Sequence, residues 1–493
     1  MNMRSITAGD RRRWLALVVI CFGQLMIMLD STIVNVALPA IQRDLHFTQA
    51  NLTWVVNAYL IAYGSLLLLA GRAGDLIGRK RVFLAGVAVF TVASGLDGLA
   101  FDSTTLIAAR LLQGLGGALS GGVILALIVT GFPKPQERAQ AMSIFMLVVA
   151  GGGSLGLLAG GTLTQLINWH WIFFINLPIG AVTMLLGWWL IEQHEGLGLT
   201  HGVDIAGSLL VSGAMVVGIY AIVTAAEMGW TSAHTLGFGA AAIVLLASFF
   251  GLEARIENPI LPLRILRLRS LTGASAARAL VATGMFSTFF LGALYLQHVK
   301  GYSAFNTGLA FLPSTLALAA LSLGISARLM RSFGPRALLI PGLATITTAL
   351  VLMATTDQNA GYFPSIFGAY LLFGIGAGIS FMPLTTIMMA EIPAADAGIA
   401  SGVGNVTMQV GGAFGLAALG TISAEHTHAL VSQGQSLAGA LTAGYQLGFG
   451  IAAACVAAGL VIVLTVLGSP SEVRIPQQVT VPDQETAGIA EAA

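Results

Sequence analysis

Residues 14–38 read WLALVVICFGQLMIMLDSTIVNVAL, a run of apolar residues whose one charged side chain is Asp30. The triplet Arg11-Arg12-Arg13 precedes it, as in a secretory leader. A leader's apolar core is only about 7–15 residues long, so we read this stretch as an uncleaved first membrane span. A helix crosses a bilayer in about 20 apolar residues. The chain offers fourteen such segments, at 14–38, 52–71, 82–101, 105–131, 140–167, 172–191, 205–225, 235–252, 271–298, 306–330, 337–355, 361–389, 399–423 and 442–467. Barrel strands would be about ten residues of alternating polarity, which these continuous runs are not. The fold class expected is therefore an all-α polytopic membrane protein with 14 transmembrane helices. Composition agrees: 56% of residues are hydrophobic and 9% charged, against about 25% charged in soluble domains, and mean hydropathy is +0.87. The 61 glycines suit closely packed apolar helices.

Basic residues orient the spans, because cytoplasmic loops carry the excess of Lys and Arg. With the N-terminus placed in the cytoplasm, 18 of the 22 basic residues fall on that side, only Arg43 and Lys300 fall outside, and Arg110 and Arg278 lie within spans. Dropping one span would scatter basic loops on both sides. Both termini are thus expected in the cytoplasm, at a bacterial inner membrane. Two weakly similar halves each carry a glycine-spaced helix end and a basic loop, Gly71 to Arg81 and Gly324 to Arg336. Parallel six-helix repeats are a transporter plan. The division read from this is a cytoplasmic N-terminus (1–13), a first six-helix half (14–192), an inserted two-helix linker (193–265), a second six-helix half (266–468) and a disordered cytoplasmic tail (469–493).

Four segments carry the chemistry. Asp30 lies about 24 Å along the first span at 1.5 Å per residue, in the outer half of the membrane. A carboxylate there costs several kcal/mol unless hydrated, paired or protonated, and such acids mark ion paths; helix packing through hydrogen bonds is the competing explanation. Arg110, in Arg110-Leu111-Leu112-Gln113-Gly114 of the fourth span, falls at comparable depth. A nearby guanidinium favours an ionised Asp and burial opposes it, which makes a site that water or substrate can switch. Gly114, Gly117 and Gly121 let another helix come close. Gly71-Arg72-Ala73-Gly74-Asp75-Leu76-Ile77-Gly78-Arg79-Lys80-Arg81 is expected as a loop between spans two and three, with Asp75 capping the next helix or binding a basic neighbour. The fifth span holds Gly152, Gly156 and Gly160 at four-residue spacing, with Gly153 and Gly161, as a smooth face for packing.

Other chemistry is excluded. There is no Gly-x-x-x-x-Gly-Lys loop for ATP hydrolysis and no His-Glu-x-x-His. Cys21 and Cys455 sit in apolar runs, the eight histidines are scattered, and the net charge of +1 names no nucleic-acid partner. No enzyme activity, metal or cofactor is expected.

Together the Asp30, Gly71–Lys80, Arg110–Gly117 and span-five segments resemble the major facilitator superfamily, and within it the fourteen-span drug:proton antiporter branch. Trp169-His170-Trp171-Ile172-Phe173-Phe174-Ile175-Asn176-Leu177-Pro178 is similar to the opening of span six in that branch. The resemblance covers about residues 10–470. It implies a central cavity between two halves, alternating access, Asp30 and Arg110 as the groups coupling protons to export, and Gly71, Asp75, Gly78, Arg79 and Lys80 as a cytoplasmic gate loop. Protons are then the coupling ion. Leu157 follows Gly156 where the antiporter motif carries Pro, and span thirteen offers Asn405, Thr407, Met408 and Gln409 where exporters of multivalent cations carry acids.

The function this implies is proton-coupled export of small amphipathic, monocationic or neutral, drugs and toxic compounds. A dedicated exporter of one metabolite and a mover of lipids or fatty acids are the alternatives. Asn35, Asn57, Tyr63, Gln113, Tyr295, Gln297, Asn405 and Gln409 are the candidate lining of the cavity. The partners expected are the substrates and membrane lipids, with the chain a monomer and any periplasm-spanning partner a separate chain.

Overall fold

The computed structural model describes residues 8–49, 51–193, 204–256, 264–392 and 397–467. The expected tail from 469, Asp396, and the stretches 194–203 and 257–263 of the expected linker lie outside them. Among the described residues every regular element is helical. The chain runs through α1 (Ala8–Asp44), α2 (Thr53–Ile77), α3 (Arg79–Gly98), α4 (Ser103–Gly131), α5 (Pro135–Leu166), α6 (Trp171–Phe174) and α7 (Asn176–Leu190). It continues through α8 (Ile205–Met228), α9 (Ala233–Glu253), α10 (Arg269–Leu294), α11 (Ala304–Ala320), α12 (Ser326–Phe333), α13 (Pro335–Ala354), α14 (Phe367–Met389), α15 (Ala397–Ser432) and α16 (Leu437–Thr465). Ten stretches are long and apolar enough to cross a membrane among the described residues, and the bent pair Thr53–Leu67 and Leu69–Ile77 makes eleven. Leu209–Ala225 and Ala304–Ala320 are shorter apolar helices. The protein is multi-pass.

Local chemistry explains where helices start and break. Asp102 accepts from Thr105 N at 2.7 Å while the Thr105 hydroxyl receives the Asp102 N–H, a reciprocal cap that fixes the entry of α4. Asp204, Ser232, Ser303 and Ser436 cap α8, α9, α11 and α16 in the simpler way. The sixth expected span divides into α6 and α7 because Pro178 has no N–H to give and its ring crowds the carbonyl four residues back, that of Phe174. The tenth is interrupted by a π turn at Leu321–Ile325. The expected loop at Gly71–Arg81 is helix almost throughout: α2 runs to Ile77, Gly78 turns the chain at φ 108°, and α3 begins at Arg79. Only glycine adopts that φ without strain.

Two bundles form, α1–α7 and α10–α16, and glycine sets the helix spacing in both. A methyl on Gly116 of α4 would stand 2.7 Å from Phe90 Cα and 2.9 Å from the Gly86 carbonyl of α3. A methyl on Gly114 would meet the Tyr59 carbonyl of α2 at 2.5 Å. In the second bundle a methyl on Gly376 of α14 would stand 2.7 Å from the Gly342 carbonyl of α13, and one on Gly411 of α15 would stand 2.6 Å from Ala279 Cα of α10. These are contacts of backbone on backbone, with no side chain to yield. Gly116→Ala is therefore expected to destabilise the purified protein by about 1–3 kcal/mol, the usual cost of overpacking. Gly131→Ala on the same helix, where nothing lies within 4 Å, is expected to leave thermal unfolding in detergent unchanged; equal unfolding of both variants would refute the crossing.

The bundles touch each other through the C-terminal halves of α1, α5 and α10, the N-terminal halves of α2 and α11, and along α15, which packs against α2. Gln297 Nε2 donates to the Val36 carbonyl at 2.8 Å, and Gln165 of α5 accepts from Phe305 N at 3.3 Å. A methyl on Gly308 of α11 would meet the Leu157 carbonyl at 2.5 Å. The pair α8–α9 leans on α15, where a methyl on Gly218 would meet the Phe414 ring at 3.0 Å, and Trp230 donates to Glu425 at 2.9 Å. Along α9, Leu236, Ile243 and Val244 are exposed, so that helix is a lipid-facing outer element rather than part of either core.

Candidate coupling site

The site is built on the one face of α4 that carries Arg110 and Gln113, three residues apart and so one above the other. Arg110 Nη1 donates to Asp30 Oδ2 of α1 at 2.6 Å and to Gln113 Oε1, and its Nε donates to the Val55 carbonyl of α2 at 2.9 Å. Gln113 Nε2 donates to Asp30 Oδ1 and to the Ser94 hydroxyl of α3, both at 2.8 Å. The Tyr59 ring lies 4.6 Å from the guanidinium carbon, and Phe173 lies at 5.7 Å. Asp30, Gln113 and Ser94 are fully buried and Arg110 is 1% exposed. The close approach of α2 that Gly114 permits is what brings the Val55 carbonyl and the Tyr59 ring to the guanidinium.

This is an ion pair closed to bulk solvent on both partners. Removing one member of such a pair costs about 3–5 kcal/mol, whereas the pair itself adds little stability over apolar packing. Arrangements of this kind are conformational or protonic devices more readily than sources of stability. A proton on Asp30 would cancel the attraction to Arg110, and the change would be felt across α1, α2, α3 and α4 at once.

Asp97 and Ser94 were missed by sequence reasoning. Asp97 is fully buried in the last turn of α3, and neither carboxylate oxygen has a hydrogen-bond partner. The signal was available, since Asp97 is an acid inside the apolar run 82–101, four residues from its expected end. Arg278 on α10, the other intramembrane arginine, is half-buried against Thr385 of α14 (3.3 Å) and Met408 of α15 (3.8 Å).

The candidate cavity residues separate into groups. Gln113 belongs to the Asp30 network. Tyr295 donates to the Asp357 carbonyl at 3.0 Å within the second bundle, and Gln297 bridges to α1 where the bundles close. Asn35 donates to the Ser31 carbonyl of its own helix at 3.1 Å. Asn57 is buried with both amide atoms unpartnered. Tyr63 stacks on Tyr59 and lies against Gly117 and Gly121. Gln409 of α15 packs its Cβ 2.7 Å from where a Gly64 methyl would be, and Asn405 stands one turn before it, partly exposed.

The gate-loop residues bind within the first bundle. Asp75 accepts from Arg79 at 2.8 Å across the Gly78 turn, and Lys80 donates to the Trp188 carbonyl at 2.7 Å. Asp75 is thus bound to its basic neighbour; the N-cap of α3 is Gly78. The α5 glycines have two partners. Gly152, Gly156 and Gly160 face Met28, Leu29 and Ile33 of α1, while Gly161 faces Ala304 and Phe305 of α11. Leu157, in the Pro position of the motif, is buried, and α5 passes through it without a break.

A family model described as Major Facilitator Superfamily matches residues 20–416. The chain belongs to the major facilitator superfamily. Among its relatives, the puromycin resistance protein pur8 of Streptomyces alboniger is 37% identical over 93% of this chain and 91% of its own length. The tetracenomycin C resistance and export protein of Streptomyces glaucescens is 34% identical over 84% and 76%. The MFS-type transporter EfpA of Mycobacterium tuberculosis is 35% identical over 84% and 78%. The fold is shared with a bacterial homologue of the lysosomal transporter Spinster, at TM-score 0.63 and 17% identity over 93% of this chain and 99% of that one. These superfamily relatives are named for resistance, export or transport, and none for catalysis.

Proposed function

We propose that this major facilitator protein is a proton-coupled antiporter that exports small amphipathic, monocationic or neutral, drugs and toxic compounds by alternating access. The observation that carries the reading is the Asp30–Arg110 pair, closed to solvent and joined at 2.6 Å inside the first bundle. Relatives named for puromycin and tetracenomycin C resistance support the cargo class. We take the membrane domain to comprise fourteen spans: two six-helix halves, with α8 and α9 as the inserted pair, both termini in the cytoplasm of a bacterial inner membrane. The bundles meeting at the C-terminal ends of α1 and α10 support a form open toward the cytoplasm. No cofactor beyond the proton, no nucleic acid and no second copy is called for; lipid and cargo are the partners.

A dedicated exporter of one antibiotic is the second reading, supported by relatives named for tetracenomycin C and cephamycin export. Energised inverted vesicles test both. Vesicles holding the protein are expected to accumulate several amphipathic dyes and to dissipate ΔpH as they do so. Accumulation that ignores a protonophore would overturn the antiport; accumulation of none of the dyes, with transport of a single antibiotic, would select the dedicated exporter.

A further inference from the structure

We propose that Asp97 is a second proton-binding acid, passing protons between the surface depression at His170 and the Asp30–Arg110 pair. The inference rests on the antiport reading and deepens it.

The first observation is the state of Asp97. It is fully buried, and both side-chain oxygens lack any donor. An ionised carboxylate in that setting would cost several kcal/mol, so the group holds a proton in this arrangement. The second is its place in the chain between residues of two hydrogen-bonded systems, neither of which its carboxyl joins in this arrangement. One turn back on the same face of α3, Ser94 takes a hydrogen bond from Gln113, which also binds Asp30. One residue on, the Gly98 carbonyl lies 3.0 Å from His170 Nδ1, and His170 Nε2 is 3.7 Å from Asp44. Asp44, Gly98, Asn168 and His170 line an open depression on the surface.

The groups on the helices packed against α3 are few. From α4 come Arg110 and Gln113, and from α2 come Tyr59, whose hydroxyl has no partner, and Tyr63 stacked on it; Arg72 and Asp75 stand at the other end of α2, by the Gly78 turn and away from Asp97. His170 stands at the start of α6. No residue of α7 titrates; its buried polar side chains are Asn176, also without a partner, and Thr183, which donates to the Ile179 carbonyl at 2.7 Å. One cation therefore serves two acids. The cluster is neutral only when one of the two carries a proton. Moving that proton from Asp97 to Asp30 leaves Asp97 as the carboxylate and Asp30 as the acid. Arg110 then exchanges one counter-ion for the other, and the total charge inside the membrane does not change, so the transfer avoids the penalty of burying a net charge.

The test uses the full-length protein reconstituted in liposomes. Asp97→Asn has the shape of the protonated acid and is expected to fold and to bind dye within about twofold of wild type, while proton flux coupled to dye falls by about tenfold or more. Asp97→Glu should recover part of that flux. Infrared difference spectra of the wild type at neutral pH are expected to show the carbonyl stretch of a protonated carboxylic acid that Asp97→Asn removes and Asp30→Asn does not. Wild-type proton flux in Asp97→Asn, or the absence of that band from the wild type, would overturn the relay alone. A wild type with the band and no proton flux would overturn the antiport and the relay together.

Discussion

Asp30→Asn is expected to end proton-coupled export, with dye accumulation and ΔpH dissipation in inverted vesicles both reduced by at least about 100-fold, the scale on which a proton-transfer group contributes. The amide keeps one oxygen able to accept from Arg110 Nη1, so the local geometry survives while titration is lost. It also leaves a buried guanidinium short of its counter-ion, which lowers stability. Dye binding to the purified variant separates the two effects. Binding near the wild-type value with no coupled flux assigns the proton to Asp30. Transport equal to wild type would make Asp30 a packing residue and move coupling elsewhere.

Arg110→Ala is expected to have the larger effect on stability, about 3–5 kcal/mol. It strips Asp30 of its closest donor, at 2.6 Å, and empties the space between the Tyr59 and Phe173 rings. Arg110→Lys keeps the charge but not the planar fork, and a lysine has no Nε–H placed for the Val55 carbonyl. It should fold and transport slowly. The double variant Asp30→Asn with Arg110→Gln removes both charges together. It is expected to unfold at a higher temperature than Arg110→Ala while remaining inactive, because a vacated pair costs less than a broken one. Thermal unfolding in detergent reads this directly. A double variant less stable than either single one would show that the pair holds the bundle together, and the view of it as a switch would fail.

Much of this was legible in the sequence, for a physical reason. A charge in an apolar run is expensive, so Asp30 and Arg110 stood out singly, and their depths could be compared by counting residues. That they form a pair, with Gln113 and Ser94 completing it, could not be read from residues 80 positions apart. Asp97 escaped because its depth depended on a span limit that hydropathy blurs. Glycine spacing in α5 was visible, but four-residue spacing does not say which neighbour each methyl-free face meets; only contact assigns Gly161 to α11 and the others to α1. The Gly71–Arg81 stretch was read as a loop because charge and glycine dominate it, yet charged residues at the end of a membrane helix extend the helix into the headgroup region without cost. The π turn in the tenth expected span left no mark, since its residues are as apolar as their neighbours.

Asp30 and Arg110 are hydrogen-bonded to side chains of α1 and α4 alone; Ser94 of α3 holds Gln113, α2 adds a carbonyl and a ring, and α6 adds the Phe173 ring. The neutral polar residues Asn405 and Gln409 and the lone Arg278 belong to the other bundle. The engine thus lies wholly in the first bundle, while the cargo hold draws on both. Drift in α10, α14 and α15 can retune what is carried while the power supply stays untouched, so a change of clientele needs few substitutions. An inhibitor wedged beside Tyr59 would work the other way, silencing export of every cargo alike and leaving the cell no escape through a remodelled hold.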